Sequence, residues 1–213
     1  LMNEIKTPEI NEIKKPEQNN YKEIKSEKGT TADMARSFWN NEFKKETEYY
    51  NSYEDRLSCT PKEETSRGKW TGERGESKFI PNNETPEGKA ALDKLNEKGL
   101  DSIEYKNTEP DFSKCAEAIV RIDDMTQYRA ENFKQADIKC AEKWSEESKD
   151  GKSEWTPREV ADWREQNHCS WHERCDTMTM DLVPREIHNH CTHLGGVSEC
   201  KERDRKNGGD FDE

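Results

Sequence analysis

All five histidines of this 213-residue chain fall between His168 and His193. Glu173, Asp176 and Asp181 lie among them. A lone histidine is more often a surface or core residue than a ligand. Imidazoles and carboxylates crowded into one short stretch instead make a donor set suited to zinc, nickel, manganese or magnesium. The fold must therefore gather this stretch around one point, and its pattern indicates how. Cys169–His172 has the character of a short strand placed directly after a helix. In Thr177–Val183, Met178, Met180 and Leu182 alternate with Thr179 and Asp181, which predicts a second strand. Pro184 opens a helix carrying Arg185, Glu186, Ile187 and His188, with Gly195-Gly196 as its stop. Strand, turn, strand and helix, with one histidine ending the first strand and others on or near the helix, is a ββα-metal layout.

The string Trp-His-Glu, Thr-Met-Asp-Leu-Val-Pro-Arg-Glu-Ile-His, then His-Leu-Gly-Gly resembles the HNH/endonuclease VII nuclease modules at the C-termini of bacterial polymorphic toxins. The close likeness covers about thirty residues, and a looser one runs over 68–200, taking in Trp-Thr-Gly-Glu-Arg-Gly-Glu-Ser-Lys upstream. The resemblance implies that His188 and His193 are metal ligands near the helix. It implies that His172 deprotonates the attacking water, while Glu173 stands where many relatives carry a second histidine, so base and ligand can exchange roles between the two. Asp181 replaces a common Gln and would orient an imidazole. The implied cofactor is one divalent ion (Mg, Mn, Zn or Ni), and the implied chemistry is metal-assisted hydrolysis of DNA phosphodiester bonds.

Residues five apart on an ideal helix are rotated by about 140°, whereas residues three apart lie within about 60°. His188 and His193 cannot share one face of a regular helix, but His190 and His193 can. Either the helix unwinds before Gly195 or His190 is the partner, so His172, His188, His190 and His193 are all candidate ligands. Arg74, in a glycine-rich loop beside Glu73, is a candidate phosphate clamp because a guanidinium binds phosphate oxygens bidentately; an ordinary salt bridge on a turn is the alternative.

Only 29% of residues are hydrophobic while 38% are charged, so one core does not fill the whole length. Residues 1–30 repeat Asn-Glu-Ile-Lys with following Pro-Glu and read as a disordered linker. Residues 31–60 read as a helical extension, with Met34, Phe38 and Phe43 at helical spacing. Residues 61–155 form the helical and loop part of the domain: a strand at Lys78–Ile80, a helix opened by Thr85-Pro86 and ended near Gly99, and a strand at Ile103–Tyr105. Two helices are expected between Ser113 and Trp144, broken near Thr126–Glu131. Thr156-Pro157-Arg158-Glu159 is a capping box opening a helix to about Gln166. Residues 156–200 make the catalytic core and 201–213 a disordered tail. The fold class expected is α+β, helices packed around a small ββα-metal (HNH) module near the C-terminus, preceded by a disordered arm.

No apolar run approaches the roughly 18–20 residues that span a bilayer, so no membrane partner is expected. Seven cysteines without a Cys-x-x-Cys pair argue for reduced thiols instead of a disulfide scaffold. Cys169, Cys175, Cys191 and Cys200 share the histidine stretch, which keeps a structural zinc site as an alternative, as is a catalytically inactive interaction module on the same scaffold. The net charge of −12 repels phosphate. Residues 156–213 hold eight Lys/Arg against thirteen Asp/Glu, so affinity would rest on the metal and a few arginines: Arg74, Arg158, Arg164, Arg174 and Arg185. The resemblance further implies a toxin domain secreted or delivered by a bacterial secretion system, acting in the target-cell cytoplasm, and held in check by a cognate immunity protein. The resemblance favours DNA as substrate, with RNA as the alternative, and the Pro/Lys/Glu arm fits a linker to a delivery protein.

Overall fold

The computed structural model describes residues 48–63 and 65–208. The expected arm over 1–30, the helix over 31–47 and the last five residues of the expected tail lie outside the described residues.

Two small antiparallel sheets carry the described part. One contains β1 (Gly68–Trp70), β2 (Lys78–Pro81), β3 (Ile103–Lys106) and β4 (Glu109–Pro110) in that order. The other has the order β5-β7-β6, with β5 at Ala118–Arg121, β6 at Cys169–Glu173 and β7 at Thr179–Pro184. The α-helices are α1 (Tyr53–Ser58), α2 (Pro86–Glu97), α3 (Arg129–Glu146), α4 (Pro157–Gln166), α5 (Arg185–His190) and α6 (Gly196–Gly208), with a 3-10 turn at Lys149–Gly151. This is a mixed α+β architecture, as the hydrophobic pattern predicts. No helix among the described residues is long and apolar enough to cross a membrane.

Local chemistry sets several boundaries. Thr85 Oγ1 accepts the Gly88 N–H and Pro86 opens α2. Thr156 and Glu159 exchange hydrogen bonds as a capping box, and α4 runs from Pro157 to Gln166. Both follow from side chains that satisfy the orphan amides of a first helical turn.

Strand β7 is buried at all six positions. Met180 and Leu182 enter a core with Ala118, Val120, Trp144, Val160 and Trp171. Val183 enters a second core with Phe79, Leu95, Tyr105, Phe112 and Ile187. The period-2 alternation of a strand sends successive side chains to opposite faces, so one central strand serves both cores.

Two expectations are corrected. Ala118–Arg121 is a strand and not part of a helix; Ala118, Val120 and Ile122 are buried while Arg121 is exposed, and this parity of two outweighs the looser helical spacing of Cys115, Ile119, Ile122 and Met125. Residues 201–208 continue α6 and are not a tail. The described part of the expected 31–60 extension packs on the domain: Arg56 and Thr60 are buried and the Tyr50 and Asn51 amides bind the buried carboxylate of Glu199 in α6 at 2.5 and 3.1 Å. Charge-assisted bonds of that kind tie the chain before residue 60 to the C-terminal helix.

Trp171 pins β6 to the helices. Its ring is fully buried, and its Nε1–H donates to Asp137 Oδ1 at 2.8 Å, while Arg164 binds the same carboxylate through Nε at 3.1 Å. Removing this ring leaves a large cavity and a carboxylate short of one donor. Trp171→Ala is expected to lower the unfolding free energy by about 3–5 kcal/mol, read from the urea midpoint of the full chain; a loss under about 1 kcal/mol would show that the ring does not anchor the sheet.

Candidate metal centre

The β6–β7 ladder places His172 opposite Asp181. His172 shares its face of β6 with Ser170, away from the Trp171 face, and stands edge-on to the buried ring of Phe112 at 4.9 Å between centroids. Helix α5 projects His188 toward the same point, its ring centroid 5.5 Å from that of His172.

His193 arrives by a different route. Helix α5 ends at His190, and Cys191 leaves helical geometry with ψ 74°. The 191–195 segment is then held residue by residue. Cys191 O faces His193 Nδ1 at 2.8 Å, the Tyr105 hydroxyl donates to Thr192 O at 3.2 Å, and Cys175 Sγ donates to Leu194 O at 3.3 Å. His193 is thereby turned toward His172, with its Nε2 3.1 Å from His172 Nδ1. The helical-wheel conflict disappears because His193 is not on the helix that carries His188.

Gly195 and Gly196 follow, and their lack of a side chain is required. A Cβ at Gly195 would lie 2.8 Å from Glu173 O, and one at Gly196 would lie 2.5 Å from both Arg174 O and Met125 Sδ. The pair lets the first turn of α6 close against the end of β6 instead of stopping a helix begun at Pro184.

One ligand atom from each of His172, His188 and His193 lies within 4.8 Å of the others, the one such convergence of three or more potential ligands among the described residues. His190 turns away, its Nε2 2.7 Å from Arg67 O. The four cysteines of this stretch are buried free thiols, and none joins the convergence.

The donor chemistry fits a divalent metal. His193 Nδ1–H donates to the Cys191 carbonyl, which leaves the Nε2 lone pair directed at the cluster and fixes the tautomer in the way seen for metal-binding imidazoles. His172 Nε2 is buried without a hydrogen-bond partner, a costly state for a polar atom in an apolar surround. Burial holds His188 down at about 3 and His193 at about 4, and pushes His172 well below the usual imidazole range, with the neighbouring imidazoles adding to the effect on His172 and His188. All three are neutral at pH 7 and ready to ligate.

Glu173 ends β6 beside this cluster. Its side chain is 2% exposed and its Oε1 lies 3.4 Å from Arg129 Nε. Burial raises its carboxyl above the usual range, against the lowering effect of Arg129. His172, Glu173, His188 and His193 line one cavity of about 480 Å³ together with Arg129 and Lys201.

Other sequence-predicted residues serve elsewhere. Arg74 caps the α1 end, donating to Leu57 O at 2.7 Å and to Thr60 O and Oγ1, and does not line the cavity. Asp181 is fully buried and accepts from Arg174 Nε and Nη2, each at 2.7 Å, with no imidazole among its hydrogen-bond partners. Arg158, Arg164 and Arg185 bind Asp162, Asp137 and Glu165. Phe112, which touches all three histidine rings, and Arg129 were not legible as site residues, since both lie far upstream and belong to no spaced motif.

Fold and site together define an α+β domain with a three-histidine metal-type centre. Residues 102–195 match the family model of the DNase/tRNase domain of colicin-like bacteriocins, which is consistent with a nuclease toxin domain. The matched span is 94 of 213 residues and contains all three histidines and Glu173. No significant match was found among curated proteins or solved structures.

The buried neutral histidines set a pH dependence in metal-free protein. Their folded values lie below the unfolded value of about 6.5, so the folded state binds fewer protons and stability falls as pH drops from about 6.5 toward about 4. Glu109, raised by burial to about 7, acts with the opposite sign between pH 7 and its ordinary value. Comparing wild type with His188→Asn removes that shared contribution. In EDTA, the urea midpoint of the variant should fall less steeply between pH 6.5 and 4.5; parallel curves would show that His188 is not held neutral.

Proposed function

We propose that this domain is a divalent-metal-dependent endonuclease that hydrolyses DNA, acting as the toxin domain of a secreted bacterial effector. The observation that carries this reading is the convergence of His172, His188 and His193 nitrogens within 4.8 Å beside the buried Glu173 carboxylate, in an open cavity. Three protein ligands leave a further coordination position, which is the pattern of catalytic rather than structural sites. A nitrogen-only donor set favours zinc or nickel over magnesium, which prefers oxygen.

His172, His188 and His193 would hold the ion, which when bound supplies electrophilic stabilisation of the phosphate and of the leaving 3′-oxygen. Glu173 takes the role of general base. Its carboxylate accepts a proton from the water whose oxygen bonds to phosphorus as the bond to the 3′-oxygen breaks. Burial raises its basicity in the direction such a role needs. His172, buried with its Nδ1 3.1 Å from His193 Nε2, is better placed to ligate than to abstract a proton. Asp181 acts through Arg174, neutralising a half-buried guanidinium just after the end of β6.

DNA as substrate and a protective partner in the producing cell come from the likeness to the bacteriocin domains. An acidic nuclease fits poorly with an acidic inhibitor, so its immunity protein should be neutral or basic, or rely on shape.

The test is plasmid cleavage by the full chain with EDTA, then with zinc, nickel, manganese or magnesium restored. Cleavage should require metal, and Glu173→Gln should lower the rate by about 10²–10⁴-fold while binding metal as tightly as wild type. His190→Ala should retain activity. Expression in bacteria should arrest growth with loss of DNA, relieved by Glu173→Gln. Full activity in EDTA, or in Glu173→Gln, would overturn the mechanism, and harmless accumulation of an active nuclease would remove the toxin role.

A further inference from the structure

The cavity beside the histidines opposes the charge of the chain. The protein carries −12 overall, yet two cationic side chains, Arg129 and Lys201, line this cavity. Electrostatic attraction between exposed charges fades within about 10 Å in ordinary salt, so a phosphate at this site feels these two groups more than the distant acidic surface.

Arg129 is held in place from two sides. It is the first residue of α3, and the preceding turn is locked by Asn132, which is fully buried, receives the Thr126 N–H at 2.9 Å and donates to Thr126 O at 2.9 Å. Just before that turn, Met125 O accepts Cys200 Sγ from α6 at 3.2 Å. The Arg129 side chain is 57% exposed, and its Nε lies 3.4 Å from Glu173 Oε1, which forms no hydrogen bond. Such a contact is easily exchanged. Lys201 is exposed on α6, just beyond the Val197 and Ser198 turn that lines the same cavity, and has no ion-pair partner among the described residues.

We infer that Arg129 and Lys201 form the phosphate seat of this site, Arg129 exchanging its long contact with Glu173 for a bidentate grip on a substrate phosphate. This rests on the nuclease reading and names what positions the substrate in it. The planar fork of Arg129 matches two phosphate oxygens, and Lys201 supplies a point charge to a neighbouring phosphate. The exchange also releases Glu173, which lines the same cavity, from its contact with Arg129 when nucleic acid is bound. Both are positioning residues, and neither ligates the ion.

The experiment measures binding of a fluorescent duplex oligonucleotide to the full chain in EDTA, from low to moderate salt, and KM and kcat for the same duplex with metal. Arg129→Gln and Lys201→Gln should each weaken binding roughly tenfold at low salt and reduce the slope of log affinity against log salt by about 1. Arg129→Lys should keep the slope. With metal, KM should rise more than kcat falls, while metal affinity stays within about twofold of wild type. Unchanged DNA affinity and slope in Arg129→Gln overturns the seat, as does loss of metal affinity without loss of DNA affinity, which would make Arg129 only a structural partner of Glu173. Wild-type protein without measurable affinity for DNA in either state overturns it as well. If wild type binds DNA in the expected residue-dependent way but never cleaves it, the nuclease reading fails and the seat stands.

Discussion

Strand β7 is buried on both faces, and the rest of the arrangement is measured from it. Its two neighbours pair with it in antiparallel register, so a shift of one residue would turn every side chain of β6 to the other face. That register sets Trp171 into one core and His172 into the other. The apolar residues on each side of β7 therefore fix the first histidine more firmly than any contact made by the imidazole itself.

A second constraint is close approach of backbone. The first turn of α6 lies against the carbonyls of Glu173 and Arg174, and any side chain at Gly195 or Gly196 would collide with them. The same closure brings Ser198 and Lys201 to the cavity and places Glu199 where the Tyr50 and Asn51 amides reach it. The geometry of the histidine site and the packing of the whole domain are thus coupled through one helix. Residues before position 60 contribute to the site without touching it, because they hold that helix by its buried carboxylate.

The electrostatics follow from burial. An imidazole surrounded by Phe112 and two other imidazoles has little to stabilise a proton, so all three rings stay neutral and keep lone pairs for a ligand. The arginines that a count of charges offers for phosphate binding are mostly engaged elsewhere: Arg164 with Asp137, Arg174 with Asp181, Arg185 with Glu165. Among the described residues most cations are matched by a nearby carboxylate, and at the cavity Arg129 makes a longer ion pair with Glu173, at 3.4 Å.

The sequence by itself determined the elements with strong local causes. The capping box at Thr156–Glu159, the strand expected over Thr177–Val183 and the crowding of histidines are properties of a few neighbouring residues, and each appears in the structure, the strand as Thr179–Pro184. Only the tertiary structure decided which histidines meet. His190 and His193 share a helical face on paper, yet α5 ends at His190 because Arg67 binds its last carbonyls and Tyr105, Cys175 and Cys191 hold the following segment in a non-helical path. The strand at Ala118–Arg121 and the placing of Arg129 and Phe112 were likewise decided by pairing and packing with residues far along the chain. Contacts at that separation leave no spacing for a sequence to show; they exist only once β7 has brought the partners together.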